Sequence, residues 1–185
     1  MILSTALLIR ERGARATSID DVLIHSGAPR GSVYHHFPGG REQLLREATD
    51  YAGAYVAGKL EQAFEDGPLA AVDRLFDEYA ASLEATGHRA GCPIVAVAVE
   101  ATEDGHDLRD EAARAFDRWR SIFRSALQDA GVGEGRADGL ALLVISSFEG
   151  ALILSRAYGD SSPLESARAE VLDRVGSELA KGAST

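Results

Sequence analysis

Seven residues decide the fold class. Pro93-Ile94-Val95-Ala96-Val97-Ala98-Val99 is the one run whose β-branched content suits a strand. A lone strand would leave its backbone N–H and C=O groups without partners, and no second run of this kind is available to pair with it. The segment is therefore expected to be a buried helix. Elsewhere apolar residues recur at three- and four-residue spacing, the signature of amphipathic helices. Ile2–Arg12 carries Leu3, Leu7 and Leu8 on one side and stops at Gly13. Residues 41–64 are expected to bury Leu44, Ala48, Tyr51, Tyr55 and Phe64, and Leu69–Ala85 to bury Leu69, Val72, Phe76, Tyr79 and Leu83. Leu108–Leu127 repeats through Ala112, Phe116, Trp119 and Phe123, and Leu164–Leu179 through Val171, Leu172 and Val175. Arg136–Tyr158 is apolar nearly all round and is expected to be buried on every side. Pro38-Gly39-Gly40, Glu65-Asp66-Gly67-Pro68 and Thr86–Gly91 break the pattern. The chain reads as all-α, with about nine helices and no sheet.

The stretch Thr17–Leu44 holds two short helices and a tight turn. Thr17 is expected to cap the first, paired with Asp20 three residues on, with Ile19, Val22 and Leu23 as its apolar face. Ser26-Gly27 ends it, and Pro29 restarts a helix that runs to about Phe37. At 100° per residue Val33 and Phe37 face inward. Gly31 and His35, flanked by Ser32 and Tyr34, face outward, a short polar and aromatic surface without a carboxylate. Arg30 projects toward the inner side, but its long stem can swing outward. This is the layout of a helix-turn-helix. On geometry alone an ordinary helical hairpin fits equally well.

Charge is distributed unevenly. The 185 residues carry a formal charge of −10. Residues 1–46 hold six Arg against four Asp/Glu, a balance of +2 before His25, His35 and His36 are counted, whereas residues 47–185 stand at −12. Only the N-terminal segment suits phosphates. A modestly basic reader on an acidic body favours a dimer that grips two half-sites. The single cysteine excludes an intramolecular disulfide. Arg10, Glu11 and Arg12 interrupt the first apolar stretch, so it is not a signal peptide, and a cytoplasmic setting is expected. The longest apolar run, Gly139–Leu154, includes Ser146, Ser147 and Glu149 and reads as too short and too polar to span a membrane.

The string Gly27-Ala-Pro-Arg-Gly-Ser-Val-Tyr-His-His-Phe-Pro-Gly-Gly-Arg-Glu-Gln-Leu44 resembles the helix-turn-helix of the TetR (tetracycline-repressor-like) regulators. Ala28–Gly31 and Phe37–Gly40, with Gly91-Cys92-Pro93-Ile94 and Phe148-Glu149-Gly150-Ala151, are similar to the LmrA/YxaF-like subgroup. The resemblance implies a DNA-binding domain over residues 1–46 and a helical ligand-binding and dimerisation domain over 47–185. Tyr34, His36 and Arg41 match the family positions that hold phosphates. Thr17 at a helix N-terminus would add amides and the helix dipole. Gly31, Ser32 and His35 are the base-edge candidates, and Arg30 is a contact to base or phosphate. A small-molecule pocket is implied, with Phe76, Tyr79, Phe116, Trp119, Phe123, Phe148 and Tyr158 as candidate lining, although aromatic stripes at helical spacing are more often core. Glu149, a carboxylate within an apolar helix, either pairs with an Arg at the dimer interface or anchors a ligand. The two last helices, 136–158 and 164–179, resemble the family's dimerisation pair. The family's basic arm before the first helix has no counterpart here, through either a trimmed start or a missing arm.

The function expected is a homodimeric repressor released from a palindromic operator by a small apolar ligand, without cofactor, metal site or membrane. Two alternatives are a helical-pocket enzyme, using Cys92 with His88 or Glu149, and a dimerisation module whose N-terminal hairpin binds protein. No base, nucleophile and orienting group occur together at a suitable spacing, so no enzyme is expected. Two potential ligands do not make a metal site, and Cys92 reads as a buried structural thiol. Glu103, Asp104, His106 and Asp107 read as a solvated loop and helix start.

Overall fold

A computed structural model describes residues 1–100 and 106–182, so Glu103 and Asp104 lie outside the described residues. Among them the chain forms α1 (Ile2–Arg12), α2 (Ile19–Ser26), α3 (Ser32–His36), α4 (Gly40–Phe64), α5 (Pro68–Ala85), α6 (Pro93–Glu100), α7 (His106–Asp129), α8 (Glu134–Tyr158) and α9 (Ser162–Gly182), with no strand. The β-branched run is helical, as its lack of a pairing partner requires. The chain divides into two compact units, one made of residues 1–55 and 90–116, the other of 56–89 and 117–185.

In the first unit Leu8, Val22, Leu23, Val33, Phe37 and Leu44 form a closed apolar core, edged by Met1, Ile2, Ile19 and Ala28. Four helices, α1 to α4, thus share one small core, and α6 packs along α1. Two expectations change here. Leu3 is exposed, and α1 instead turns Ser4, Thr5, Ala6, Leu8 and Ile9 inward. On α4, Tyr51 and Tyr55 stack on one another at 6.5 Å on the exposed side. The buried stripe of that helix is Leu44, Leu45, Ala48, Thr49, Ala52, Val56, Ala57, Leu60 and Ala63. Small residues win that face because α4 is approached closely: a Cβ on Gly53 would lie 2.7 Å from the Cβ of Ala115. A tyrosine stripe could not sit at such a crossing.

In the second unit α9 packs on both α5 and α8. Arg168 joins α9 to α5 through Asp73 at 2.7 Å and Asp77 at 3.4 Å. The buried carboxylate of Glu178 receives Arg136 at 3.1 Å, Lys181 at 3.0 Å and Arg174 at 3.4 Å. Leu69 is exposed, while Val72, Phe76 and Leu83 are buried as expected. The largest departure is α8, which is not buried on every side. Leu142, Leu143, Ile153, Leu154 and Tyr158 are all at least 40% exposed. Its 25 residues, with a mean hydropathy of 1.7 over the most apolar window, are long and apolar enough to cross a bilayer, contrary to the reading of Gly139–Leu154 as too short. Half of that window is buried inside the protein, as suits a core helix with one open face.

Candidate nucleic-acid interface

α3 is only five residues long, too short to hold itself in water. Its inner side does the holding, with Val33 wholly buried and Phe37 nearly so. The turn before it is fixed by Gly27 at φ 67°, a left-handed conformation that glycine adopts without strain. The helix begins at Ser32, three residues later than Pro29 suggested. Pro29 instead supplies the carbonyl that accepts from Ser32 N at 3.0 Å and from Ser32 Oγ at 2.6 Å. After α3 the chain reverses through Gly40, whose N–H donates to Phe37 O at 2.8 Å, and the Gln43 side chain accepts from Gly39 N at 2.8 Å.

The outer side of this assembly is a continuous polar surface. Arg30, Gly31, Tyr34, His35 and His36 are exposed and Ser32 is half-buried. Arg30 thus points to solvent, not inward. The His35 and His36 rings meet edge to face at 5.0 Å, and α3 carries no acidic residue. Such a strip can meet phosphates and base edges without like-charge repulsion.

Two predicted contacts are placed differently. Ser18, not Thr17, caps α2: its hydroxyl accepts from Asp21 N at 3.1 Å, and the Asp21 carboxylate accepts from Ser18 N at 3.0 Å. Hydrogen bonds from the Ser18 side chain and backbone, with Arg12 adding at 3.0 Å, hold the Asp21 carboxyl below its ordinary pKa. Thr17 is buried, donating its hydroxyl to Gly13 O at 2.7 Å and its N–H to Ala14 O at 3.2 Å. Arg41 reaches back from α4 into the same corner. Its Nε donates to Thr17 O at 2.9 Å, and its Nη2 to Ala14 O at 2.5 Å and Arg15 O at 3.2 Å. Both side chains shape the α1–α2 corner instead of extending the outer strip.

Sequence reasoning missed Ser18 and also Glu100. The Glu100 carboxylate accepts from Arg15 N at 2.7 Å on this corner. The available signal was a single carboxylate ending the otherwise apolar run 93–99.

The ligand candidates are distributed between the units. Phe116 belongs to the first. In the second, Phe148 meets Tyr79 at 4.8 Å and Phe76 at 5.4 Å, both edge to face, and Phe123 meets Phe64 at 5.1 Å. Phe76, Trp119, Phe123, Phe148 and Glu149 are buried, Tyr79 is half-buried, and Tyr158 is exposed and leaves the candidate lining. A separate cleft of about 530 Å³ in the second unit is polar, lined by Asp117, Arg120, Ser121, Arg124, Glu134, Gly135 and Asp138. None of the aromatic candidates borders it. Cys92 is buried and takes no part in a disulfide, and His88 Nε2 lies 3.3 Å from Ser161 Oγ. Among the described residues no group of three or more His, Cys, Asp or Glu is arranged to hold a metal.

Residues 2–48 match the family described as bacterial regulatory proteins, tetR family, and residues 68–170 match the C-terminal domain of LmrA/YxaF-like transcriptional regulators. An uncharacterized HTH-type transcriptional regulator of Mycobacterium tuberculosis is 47% identical over 184 residues, covering 97% of this chain and 94% of its own length. The HTH-type transcriptional regulator LmrA of Bacillus subtilis is 31% identical over 166 residues, covering 88% of each. The crystal structure of the regulatory protein TetR from Rhodobacter sphaeroides superposes with a TM-score of 0.82 over 93% of this chain and 95% of that one, at 23% identity, a likeness of fold. With a matched reader sequence, a matched C-terminal domain and a solvent-facing strip on α3, the chain belongs to the TetR family of bacterial DNA-binding transcriptional regulators, on its LmrA/YxaF-like branch.

Proposed function

We propose that the protein is a homodimeric, cytoplasmic repressor that occupies a palindromic operator and is released from it by a small apolar ligand. Residues 1–46 read the DNA and residues 47–185 dimerise and sense. The observation that carries this reading is the carboxylate-free outer strip from Arg30 to His36, set on a helix whose other side is locked in the core. Gly31, Ser32 and His35 meet base edges, with Gly31 admitting close approach. Tyr34 and His36 hold phosphates, and Arg30 contacts base or phosphate. Thr17 and Arg41 contribute by fixing the corner that orients α2.

The open face of α8 supports dimerisation. Leu142, Leu143, Ile153 and Leu154 are exposed along one side, and a Cβ added at Gly139 or Gly150 would meet nothing within 4 Å. Together with α9, two copies of this face make a four-helix contact across a twofold axis. The sensing part rests on the aromatic residues Phe76, Tyr79, Phe116, Trp119, Phe123 and Phe148, with Glu149 as a polar anchor. A ligand that favours one helix arrangement need contribute only about 1–3 kcal/mol of coupling to change operator affinity severalfold to a hundredfold.

Replacing Arg30 and Tyr34 together by Ala tests the reading. Loss of salt-dependent DNA binding with an unchanged dimer is the expected result. Unchanged DNA binding would put recognition elsewhere on the molecule.

A further inference from the structure

α6 has the sequence Pro-Ile-Val-Ala-Val-Ala-Val-Glu. Its only charged residue is the last, and the position is unfavourable: a carboxylate at a helix C-terminus faces the negative end of the dipole. A residue that works against its own helix is best explained by what it does outside that helix.

Glu100 meets the corner between α1 and α2. Its Oε2 accepts from Arg15 N at 2.7 Å. Its Oε1 lies 1.9 Å from the point a Cβ on Gly13 would occupy, so any side chain there would displace the carboxylate. Gly13 also holds φ at 88°, which terminates α1. At the other end of α6, Gly91 N donates to Arg10 O at 2.7 Å. α6 is therefore fastened to the end of α1 from both sides. The same corner receives Arg41 of α4 on the carbonyls of Ala14, Arg15 and Thr17. An acid from α6 takes an N–H of the corner, and a base from α4 takes its C=O groups.

We infer that Glu100 is a positioning residue for DNA recognition, its carboxylate fastening α6 to the α1–α2 corner and fixing the angle at which α2 and α3 meet the duplex. The inference rests on the DNA reading proposed above. Glu100 touches no DNA itself, and it acts through Arg15 and the start of α2.

The test uses the full-length protein and the duplex that the wild type selects from random DNA. Glu100→Ala is expected to lower affinity for that duplex on the order of tenfold, the cost of one charge-assisted hydrogen bond. Affinity for a scrambled duplex at low salt should stay within about twofold, since phosphate attraction is unchanged. Glu100→Gln, which keeps an acceptor for Arg15 N, should recover most of the loss. Hydrogen exchange should show the Arg15 amide losing protection in Glu100→Ala and keeping it in Glu100→Gln. A Glu100→Ala protein with wild-type operator affinity, or with a protected Arg15 amide, would overturn the inference. A wild-type protein that prefers no duplex would overturn the DNA reading instead, and the exchange measurement would still decide whether Glu100 holds the corner.

Discussion

Removing the Arg41 guanidinium separates two roles for that residue. The sequence resemblance makes it a phosphate contact, whereas the structure spends it on three carbonyls of the α1–α2 corner, at 2.9 Å to Thr17, 2.5 Å to Ala14 and 3.2 Å to Arg15. A hydrogen bond to a charged group contributes about 1.5–3 kcal/mol net. Two of these three share one nitrogen and the side chain is half-exposed, so water replaces part of the loss. Arg41→Ala should therefore cost about 2–3 kcal/mol of local stability, not the sum of three bonds. At about 1.4 kcal/mol per tenfold, local opening of the corner rises about 30- to 150-fold. Exchange of the Val22 and Leu23 amides in α2 should accelerate by that factor. Operator affinity should fall with it, while the slope of log affinity against log salt stays the same. A phosphate contact behaves oppositely, reducing that slope by about 0.9 for each phosphate lost and leaving exchange unchanged. A shallower slope with wild-type exchange would refute the clamp.

Ser18→Ala removes one half of the capping box and should destabilise the reading head by about 1 kcal/mol, seen as faster exchange at Asp21 and a lower melting temperature. Gly53→Ala places a methyl 2.7 Å from the Ala115 Cβ and should cost about 1–3 kcal/mol by overpacking, with Ala115→Gly restoring much of it in thermal melts. The carboxyl of Glu178 is held below its ordinary value of 4.5 by hydrogen bonds from Arg136 and Lys181. A depressed folded-state pKa stabilises above the unfolded value and is lost as pH falls through the folded one. Stability should therefore drop below about pH 4.5, and Glu178→Gln should flatten that part of the curve in denaturant titrations. Leu143→Glu and Leu154→Glu on the open face of α8 should yield monomers in sedimentation while leaving the helical content intact.

Helical periodicity made the architecture legible, including α6, whose strand-like composition was overruled by the want of a pairing partner. The 100° rule also placed Val33 and Phe37 inside and Gly31, His35 and Tyr34 outside. Where it failed, two local solutions competed and a distant contact chose between them. Thr17 and Ser18 can each cap α2, and each has an aspartate three residues on. The carbonyl of Gly13 takes the threonine hydroxyl, which leaves the cap to Ser18. On α4, Tyr51 and Tyr55 form one helical stripe and Ala48, Ala52 and Val56 another, and the close crossing of Gly53 with Ala115 selects the smaller. Arg41 and Glu100 find partners 24 to 27 and 85 residues away. Local periodicity carries no record of such contacts. The exposed side of α8 follows the same logic, since a helix apolar all round looks alike whether its second face meets its own chain or another.

The central claim is that the strip from Arg30 to His36 is presented twice to one duplex. Selection from random DNA by the purified protein tests it most directly. The expected result is a palindrome whose half-site centres lie about one helical turn, about 34 Å, or a multiple of that apart, no longer recovered by the Arg30→Ala, Tyr34→Ala double variant. Recovery of no preferred sequence, or of the same sequence by wild type and variant alike, would contradict it.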